Sequence, residues 1–376
     1  MYAAVVCELP CNLSSKNLSN SNQCSEQKMS RLMRNLYIHC GLPKSGTTSI
    51  QKSLAAEREQ LRTAGYDYPD ICVSADRTAH HNLAREMLGD PRFVAERGGR
   101  DELLAYFKEN TRCPNIVLSS EGLTHCLFRA RAQLFGFLQA AMTANDAVFV
   151  AFTFREFWRI SESTYLYNLR NGGGDTADSG PLRLAATTKW LKGLSEGLSA
   201  MRDLVGAERF LVCDVVKDGE DSVSAISTLL GVPYLRQRSA EPRYNSRIGI
   251  KKSAILYKLR NQAASDRAGA LLSPEQIAKI RRRILAMPDF PGEIFDYRIM
   301  PYDGANAIQA VAREVLPHFV TGKLDQSLRP EINPYAAVRL ENVELNREEL
   351  DAVWSAVPHK FCVRLPWLAR EGLHQA

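Results

Sequence analysis

The sequence has no C-x-x-C pair. Its nine cysteines, Cys7, Cys11, Cys24, Cys40, Cys72, Cys113, Cys126, Cys213 and Cys362, are odd in number and irregularly spaced. That pattern sets aside a zinc ribbon and a disulfide framework and reads as reduced thiols. No apolar run approaches the roughly 20 residues a membrane-spanning helix needs, so no integral membrane segment is expected. A short apolar patch opens the chain, but Glu8 interrupts it and no basic stretch precedes it. No signal peptide is expected, and the cytoplasm is the default compartment. No Lys/Arg run carries interleaved aromatics, and the net charge of +6 is dispersed. This argues against a nucleic-acid partner and suits a small polyanionic ligand. No Asp-rich or His/Cys ligand set is seen, so no metal is expected. The sequence leaves the oligomeric state open.

What is present is the material of a globular enzyme: 376 residues, 45% of them hydrophobic and 24% charged, enough for a buried core. Residues 1–34 are rich in Ser, Asn and Gln and lack periodicity, which reads as a disordered extension; Met29 or Met33 is then a candidate start. From residue 35 to about 250 apolar strands alternate with amphipathic helices. Leu36–Cys40 reads as a buried strand before Gly41. A helix from about Ser49 carries Ile50, Leu54 and Leu61 and stops at Gly65. Asp101 is a candidate cap for a helix with Leu104 and Phe107. Asn115–Ser119 is a second strand, and Leu134, Leu138 and Met142 mark the next helix. Ala147–Phe154, apolar apart from Thr153, reads as a strand covered on both faces, as in a parallel sheet. A helix from Glu156 to about Asn171 follows, then a Gly-rich polar loop to Gly180. Trp190, Leu194, Leu198, Met201 and Val205 give an amphipathic helix. Arg209–Cys213 is another strand, and Val223, Ile226 and Leu230 another helix.

Residues 251–376 read as a mostly helical C-terminal extension packing on the same domain. Ser273-Pro274 with Gln276, and Asn346 with Glu349, are helix-start signatures. The expected fold class is α/β, a P-loop-like parallel sheet flanked by helices, with a mostly helical C-terminal region.

The loop Gly41-Leu42-Pro43-Lys44-Ser45-Gly46-Thr47-Thr48 joins a strand to a helix. Consecutive N–H groups at a helix N-terminus bind anions, glycines let the backbone wrap closely, and Lys44 adds charge. It is not a Walker A loop, which places Lys directly after its second Gly; here Thr47 follows Gly46. Pro43–Thr48 resembles the 5′-phosphosulfate loop P-K-[ST]-G-T-[TS] of the sulfotransferases, and Ser49-Ile50-Gln51 is similar to the bacterial, carbohydrate-type branch of that family.

The resemblance implies 3′-phosphoadenosine 5′-phosphosulfate (PAPS) as sulfuryl donor, released as adenosine 3′,5′-bisphosphate. It implies a hydroxyl acceptor, of a saccharide or a glycolipid. Lys44, Ser45, Gly46, Thr47 and Thr48 would hold the 5′ end. Arg155 ends the strand Ala147–Phe154, where open α/β sheets bind ligands, and Ser163 lies eight residues on. In sulfotransferases an Arg and a Ser so placed hold the 3′-phosphate. Pairing of Arg155 with Glu156 or Glu162 is the plainer alternative, and Ser161 is the fallback for Ser163. Asn245-Ser246-Arg247 with Lys251 and Lys252 resembles a further nucleotide segment, or is a solvated basic loop.

Sulfuryl transfer to a hydroxyl needs a general base and a cation for the leaving oxygen. Lys44 suits the second role. Glu121 follows the strand Asn115–Ser119, where carbohydrate-type members carry their base; it also suits the first turn of a helix. His80, His81 and His125 compete for the role. Two other readings stay open: a P-loop nucleotide-dependent kinase, with Asp214 as its Walker B residue, and a catalytically inactive nucleotide-binding module.

Overall fold

The computed structural model describes residues 33–110, 112–172, 184–214, 222–230, 248–265, 272–294, 302–317, 340–362 and 364–369. The expected extension lies outside this set except for Met33 and Arg34. Arg34 already belongs to the folded unit. Its N–H donates to Asp146 Oδ2 at 2.7 Å, and its guanidinium donates to the carbonyls of Phe107 and Lys108.

Five strands are described: β1 (Asn35–Gly41), β2 (Tyr66–Asp67), β3 (Asn115–Ser119), β4 (Ala147–Phe154) and β5 (Phe210–Asp214). They form one sheet in the order β2-β3-β1-β4-β5, and every pairing is parallel. The connecting helices are α1 (Thr47–Ala56) and α2 (Arg58–Thr63), α3 (His81–Met87) and α4 (Arg100–Glu109), α5 (Gly122–Arg129) and α6 (Arg131–Ala144), α7 (Phe157–Asn171) and α8 (Leu184–Val205), then α9 (Ser222–Leu230). The C-terminal region adds α10 (Ile250–Ser265), α11 (Pro274–Ala286), α12 (Tyr302–Val315), α13 (Arg347–Ala356) and shorter turns. The α/β expectation is met: a parallel sheet flanked by helices, followed by a mostly helical region.

Apolar alternation explains the layers. Leu36, Ile38 and Cys40 of β1, with Ile116, Leu118, Val150 and Phe152, face a core closed by α4, α5, α6, α8 and α12. On the opposite face Val117, Ala151 and Cys213 meet Ile50, Leu54 and Leu61 from α1 and α2, and Val223 and Ile226 from α9. A separate apolar cluster joins Leu166 and Leu169 of α7 to α10, α11 and α13. The C-terminal region is therefore shared: α12 completes a sheet face, and α10, α11 and α13 build a second core on the far half of α7.

Some local expectations are corrected. The helix after the loop begins at Thr47 and breaks at Glu57, so two short helices precede the stop at Gly65, whose φ of 83° is left-handed. Asp101 does not cap α4. Gly99 is the N-cap, its N–H donating to Glu102 Oε2 at 3.0 Å; Leu103 is fully buried with Phe107, and Leu104 packs part-buried against the same core. Both C-terminal helix starts form as expected. Ser273 Oγ accepts from Gln276 N–H at 3.3 Å, and Asn346 Oδ1 accepts from Glu349 N–H at 3.0 Å. Cys40, Cys72, Cys113, Cys126 and Cys213 are buried free thiols. No helix among the described residues is long and apolar enough to cross a membrane.

Because all strands run parallel, their carboxyl ends share one edge. From β1 the chain passes to β2 and β3 on one side, then crosses to β4 and β5 on the other. That reversal beside β1 is the topological switch point, where open α/β sheets leave a crevice for ligands.

Candidate active site at the carboxyl edge of the sheet

The loop after β1 is shaped by close packing. A Cβ on Gly41 would stand 2.0 Å from Thr153 Oγ1 and 2.8 Å from Thr47 Cγ2, so only glycine fits. Lys44 has φ 68° and Gly46 φ 86°, both left-handed. For Lys44 that conformation is uncommon and marks a backbone held by its surroundings. Ser45 serves the loop itself: its N–H and its hydroxyl both donate to the Leu42 carbonyl, at 3.2 and 2.6 Å. Its buried side chain faces the core, so any ligand role rests on its backbone. Gly46 is the N-cap of α1, which has no capping side chain and no acidic residue in its first turn. Among the described residues no acceptor meets the N–H groups of Gly46, Thr47 and Thr48. Unmet donors at a helix N-terminus, reinforced by the dipole, form an anion cradle.

Three further groups close on this cradle. The Lys44 ammonium lies 4.0 Å from the ring centroid of Tyr167 on α7. Burial lowers its pKa, nearby Glu121 opposes that shift, and Arg170 adds to it. Glu121 follows β3 at the N-cap of α5, where its Oε2 accepts from Thr47 Oγ1 at 2.5 Å. Arg155 follows β4 and donates from Nη1 to the Lys44 carbonyl at 3.0 Å. Its Nε is 3.9 Å from Glu156 Oε2, and the fully buried Glu156 pairs more closely with Arg159, at 3.0 Å. The ends of β1, β3 and β4 thus bring Lys44, Thr47, Glu121 and Arg155 together. Ser163 stands nearly two turns into α7, half-buried. Ser161 is a poor substitute because its hydroxyl donates to Phe157 O at 3.0 Å.

The histidines separate clearly. His80 is fully buried: Nδ1 accepts from Ser119 N–H at 3.1 Å and Nε2 meets Pro69 O at 3.0 Å. Burial pulls its pKa down to about 3. With both nitrogens bound to backbone, it is a structural residue. His81 Nδ1 meets Ser120 Oγ at 2.9 Å, beside Glu121. His125 is exposed one turn beyond Glu121 on α5. Partial desolvation by the surrounding protein lowers the pKa of both, of His125 despite its exposed edge, and Glu121 opposes the shift in each.

Other candidates fall elsewhere. Asn245, Ser246 and Arg247 lie outside the described residues. Lys251 and Lys252 are tied into the C-terminal region. Lys251 Nζ bonds to Glu349 and to Pro291 O, and Lys252 Nζ to Asp289 Oδ1 and Met287 O, both at 2.7 Å. They are neither a solvated loop nor free cations. Asp214 ends β5 in register with Phe154. No cluster of three or more His, Cys, Asp or Glu residues is arranged to hold a metal among the described residues.

One residue at this edge escapes a motif reading. His39 sits in the apolar run of β1, two positions before the loop, and is fully buried. Its ring lies 2.7 Å from Ser119 Oγ through Nδ1 and 3.3 Å from Thr153 Oγ1 through Nε2. The available signal was a lone imidazole inside an otherwise apolar strand.

No family model matches the chain, and no curated protein matches it.

Proposed function

We propose that this chain is a sulfotransferase that moves the sulfuryl group of PAPS onto an acceptor hydroxyl. The observation that carries the reading is the anion cradle at Gly46–Thr48, whose N–H groups are unmet among the described residues, with Lys44 beside it and Glu121 bonded to Thr47. The residues fit the donor. The N–H groups at the start of α1 suit its 5′-phosphosulfate end, and the guanidinium of Arg155, with Ser163, suits the 3′-phosphate. When bound, PAPS supplies an activated sulfur whose bond to the phosphate oxygen can break.

The protein's own work is then positioning and charge. Glu121 accepts the proton of the acceptor hydroxyl as its oxygen bonds to sulfur. Lys44 stabilises the negative charge left on the phosphate oxygen. The Thr47–Glu121 hydrogen bond keeps base and cradle within one hydrogen bond of each other. Glu121 is a better base than His80, which is bound on both nitrogens; His81 and His125 both feel the Glu121 charge. A saccharide or glycolipid hydroxyl is the acceptor this reading favours, with the cytoplasm as its setting.

The test is incubation with sulfur-labelled PAPS and a fractionated cell extract. Label in a saccharide or glycolipid fraction, with release of adenosine 3′,5′-bisphosphate, is the expected result. Bisphosphate release without any labelled product, or no release at all, contradicts it.

A further inference from the structure

Four hydroxyl or imidazole groups form a continuous chain beneath the cradle. Ser119 Oγ meets His39 Nδ1 at 2.7 Å, His39 Nε2 meets Thr153 Oγ1 at 3.3 Å, and Thr153 Oγ1 meets Ser45 Oγ at 3.1 Å. All four residues are fully buried. Burying polar groups at the centre of a sheet is unfavourable unless each is paired, and valine would pack there at lower cost. The chain therefore needs a reason beyond filling space.

Its termini supply one. Ser119 precedes Glu121 by two residues, Thr153 precedes Arg155 by two, and Ser45 follows Lys44 directly. The three strand ends that carry the candidate groups are joined through a single imidazole. Backbone bonds run alongside it: Ser120 N–H donates to His39 O at 3.0 Å, and Leu42 N–H donates to Thr153 O at 3.2 Å. We infer that His39 is a positioning residue that fixes Glu121, Arg155 and the Lys44 loop relative to one another. It touches no ligand. Burial lowers its pKa to about 3, so the ring stays neutral at ordinary pH and uses one nitrogen as donor and the other as acceptor.

This role rests on the sulfotransferase reading for its kinetic consequences, but not for its structural ones. The two ends of the ring can be cut separately. His39→Asn places an amide where Nδ1 stood, keeping Ser119 and losing Thr153. His39→Gln reaches the Nε2 position, keeping Thr153 and losing Ser119. Loss of one neutral hydrogen bond corresponds to about 2- to 12-fold in an equilibrium. His39→Asn should weaken adenosine 3′,5′-bisphosphate binding by about that factor and, because the Lys44 loop is loosened with Arg155, lower kcat as well. His39→Gln should lower kcat by a similar factor and leave bisphosphate affinity within twofold.

Amide hydrogen exchange on the nucleotide-free protein gives the same split without any ligand. In His39→Asn, exchange should quicken at 42–48 and 155–160; in His39→Gln it should quicken at 119–124. If either variant fails to fold, Thr153→Val and Ser119→Ala cut the same two links from the opposite side. Equal changes in both segments, or faster exchange across the whole sheet, overturn the positioning role. A clean split in exchange, in a wild-type protein indifferent to the bisphosphate, would support His39 and reject sulfuryl transfer.

Discussion

Lys44 at the sheet edge, and Lys251 and Lys252 in α10, are basic residues in opposite surroundings. Lys251 and Lys252 each have a carboxylate partner, Glu349 and Asp289. Their charges are used in tying α10 to α13 and to the segment after α11. Lys44 has no carboxylate within ion-pair distance among the described residues; its ammonium rests on an aromatic face beside unmet N–H donors. Arg155 spends one N–H on the Lys44 carbonyl and lies 3.9 Å from Glu156, whose closer partner is Arg159. A cation neutralised by a buried acid holds structure together, whereas one poised over unsatisfied donors is equipped to meet an incoming anion.

That contrast can be broken at either end. The largest effect should come from Glu121→Gln, which removes the proton acceptor but keeps the amide near Thr47. A missing general base costs about 10²–10⁴-fold in turnover, with bisphosphate affinity held within a few-fold. Lys44→Ala should cost about 10²–10³-fold, the usual loss for one charge-stabilising donor. Turnover within a few-fold of wild type in either variant would return that residue to a structural role. Lys251→Ala should behave in the opposite way. Turnover stays within twofold, while the thermal midpoint falls by a few degrees because buried Glu349 loses its counter-charge and, among the described residues, keeps only the Asn346 N–H. A large kinetic loss with unchanged stability would mean that α10 belongs to the nucleotide site after all.

Acid should destabilise the sheet region through its buried histidines. His39 and His80 of the sheet region are buried with pKa values near 3, against an ordinary value of 6.5. The unfolded chain binds protons below 6.5 that the folded chain refuses until about 3. Their contribution to stability is thus complete above pH 6.5 and is lost as pH falls from there toward 3. Each costs on the order of 1 kcal/mol per pH unit within that window. Thermal unfolding at pH 7 and pH 5 should show the drop, and His39→Gln should reduce it. An identical midpoint at the two pH values would contradict the burial of neutral imidazoles.

Much of this edge was legible in the sequence because the relevant signals are local. Residue order in Pro43–Thr48, an apolar strand before it and a helix after it suffice to place a loop at a strand end. Glu121 and Arg155 were legible for the same reason, each standing just past an apolar strand. What escaped depends on contacts between distant segments. The two residues of β2 are too short to show periodicity, and the break at Glu57 interrupts an otherwise continuous helical pattern. That His80 is bound on both nitrogens depends on Ser119 and Pro69, and no spacing rule connects those positions. Lys251 and Lys252 looked like a basic loop because Glu349 and Asp289 lie far along the chain. Ser45 matched the motif by type, yet its hydroxyl turned inward to bond with Leu42 and Thr153.

The most direct test of the central claim is calorimetric titration of adenosine 3′,5′-bisphosphate and 5′-AMP against the wild-type protein and Arg155→Ala. A charge-assisted hydrogen bond contributes about 1.5–3 kcal/mol, or about 10- to 150-fold in affinity. The wild type should prefer the bisphosphate by that order, and Arg155→Ala should lose most of the preference by weakening the bisphosphate alone. Equal wild-type affinity for the two nucleotides would contradict the assignment of PAPS as the donor.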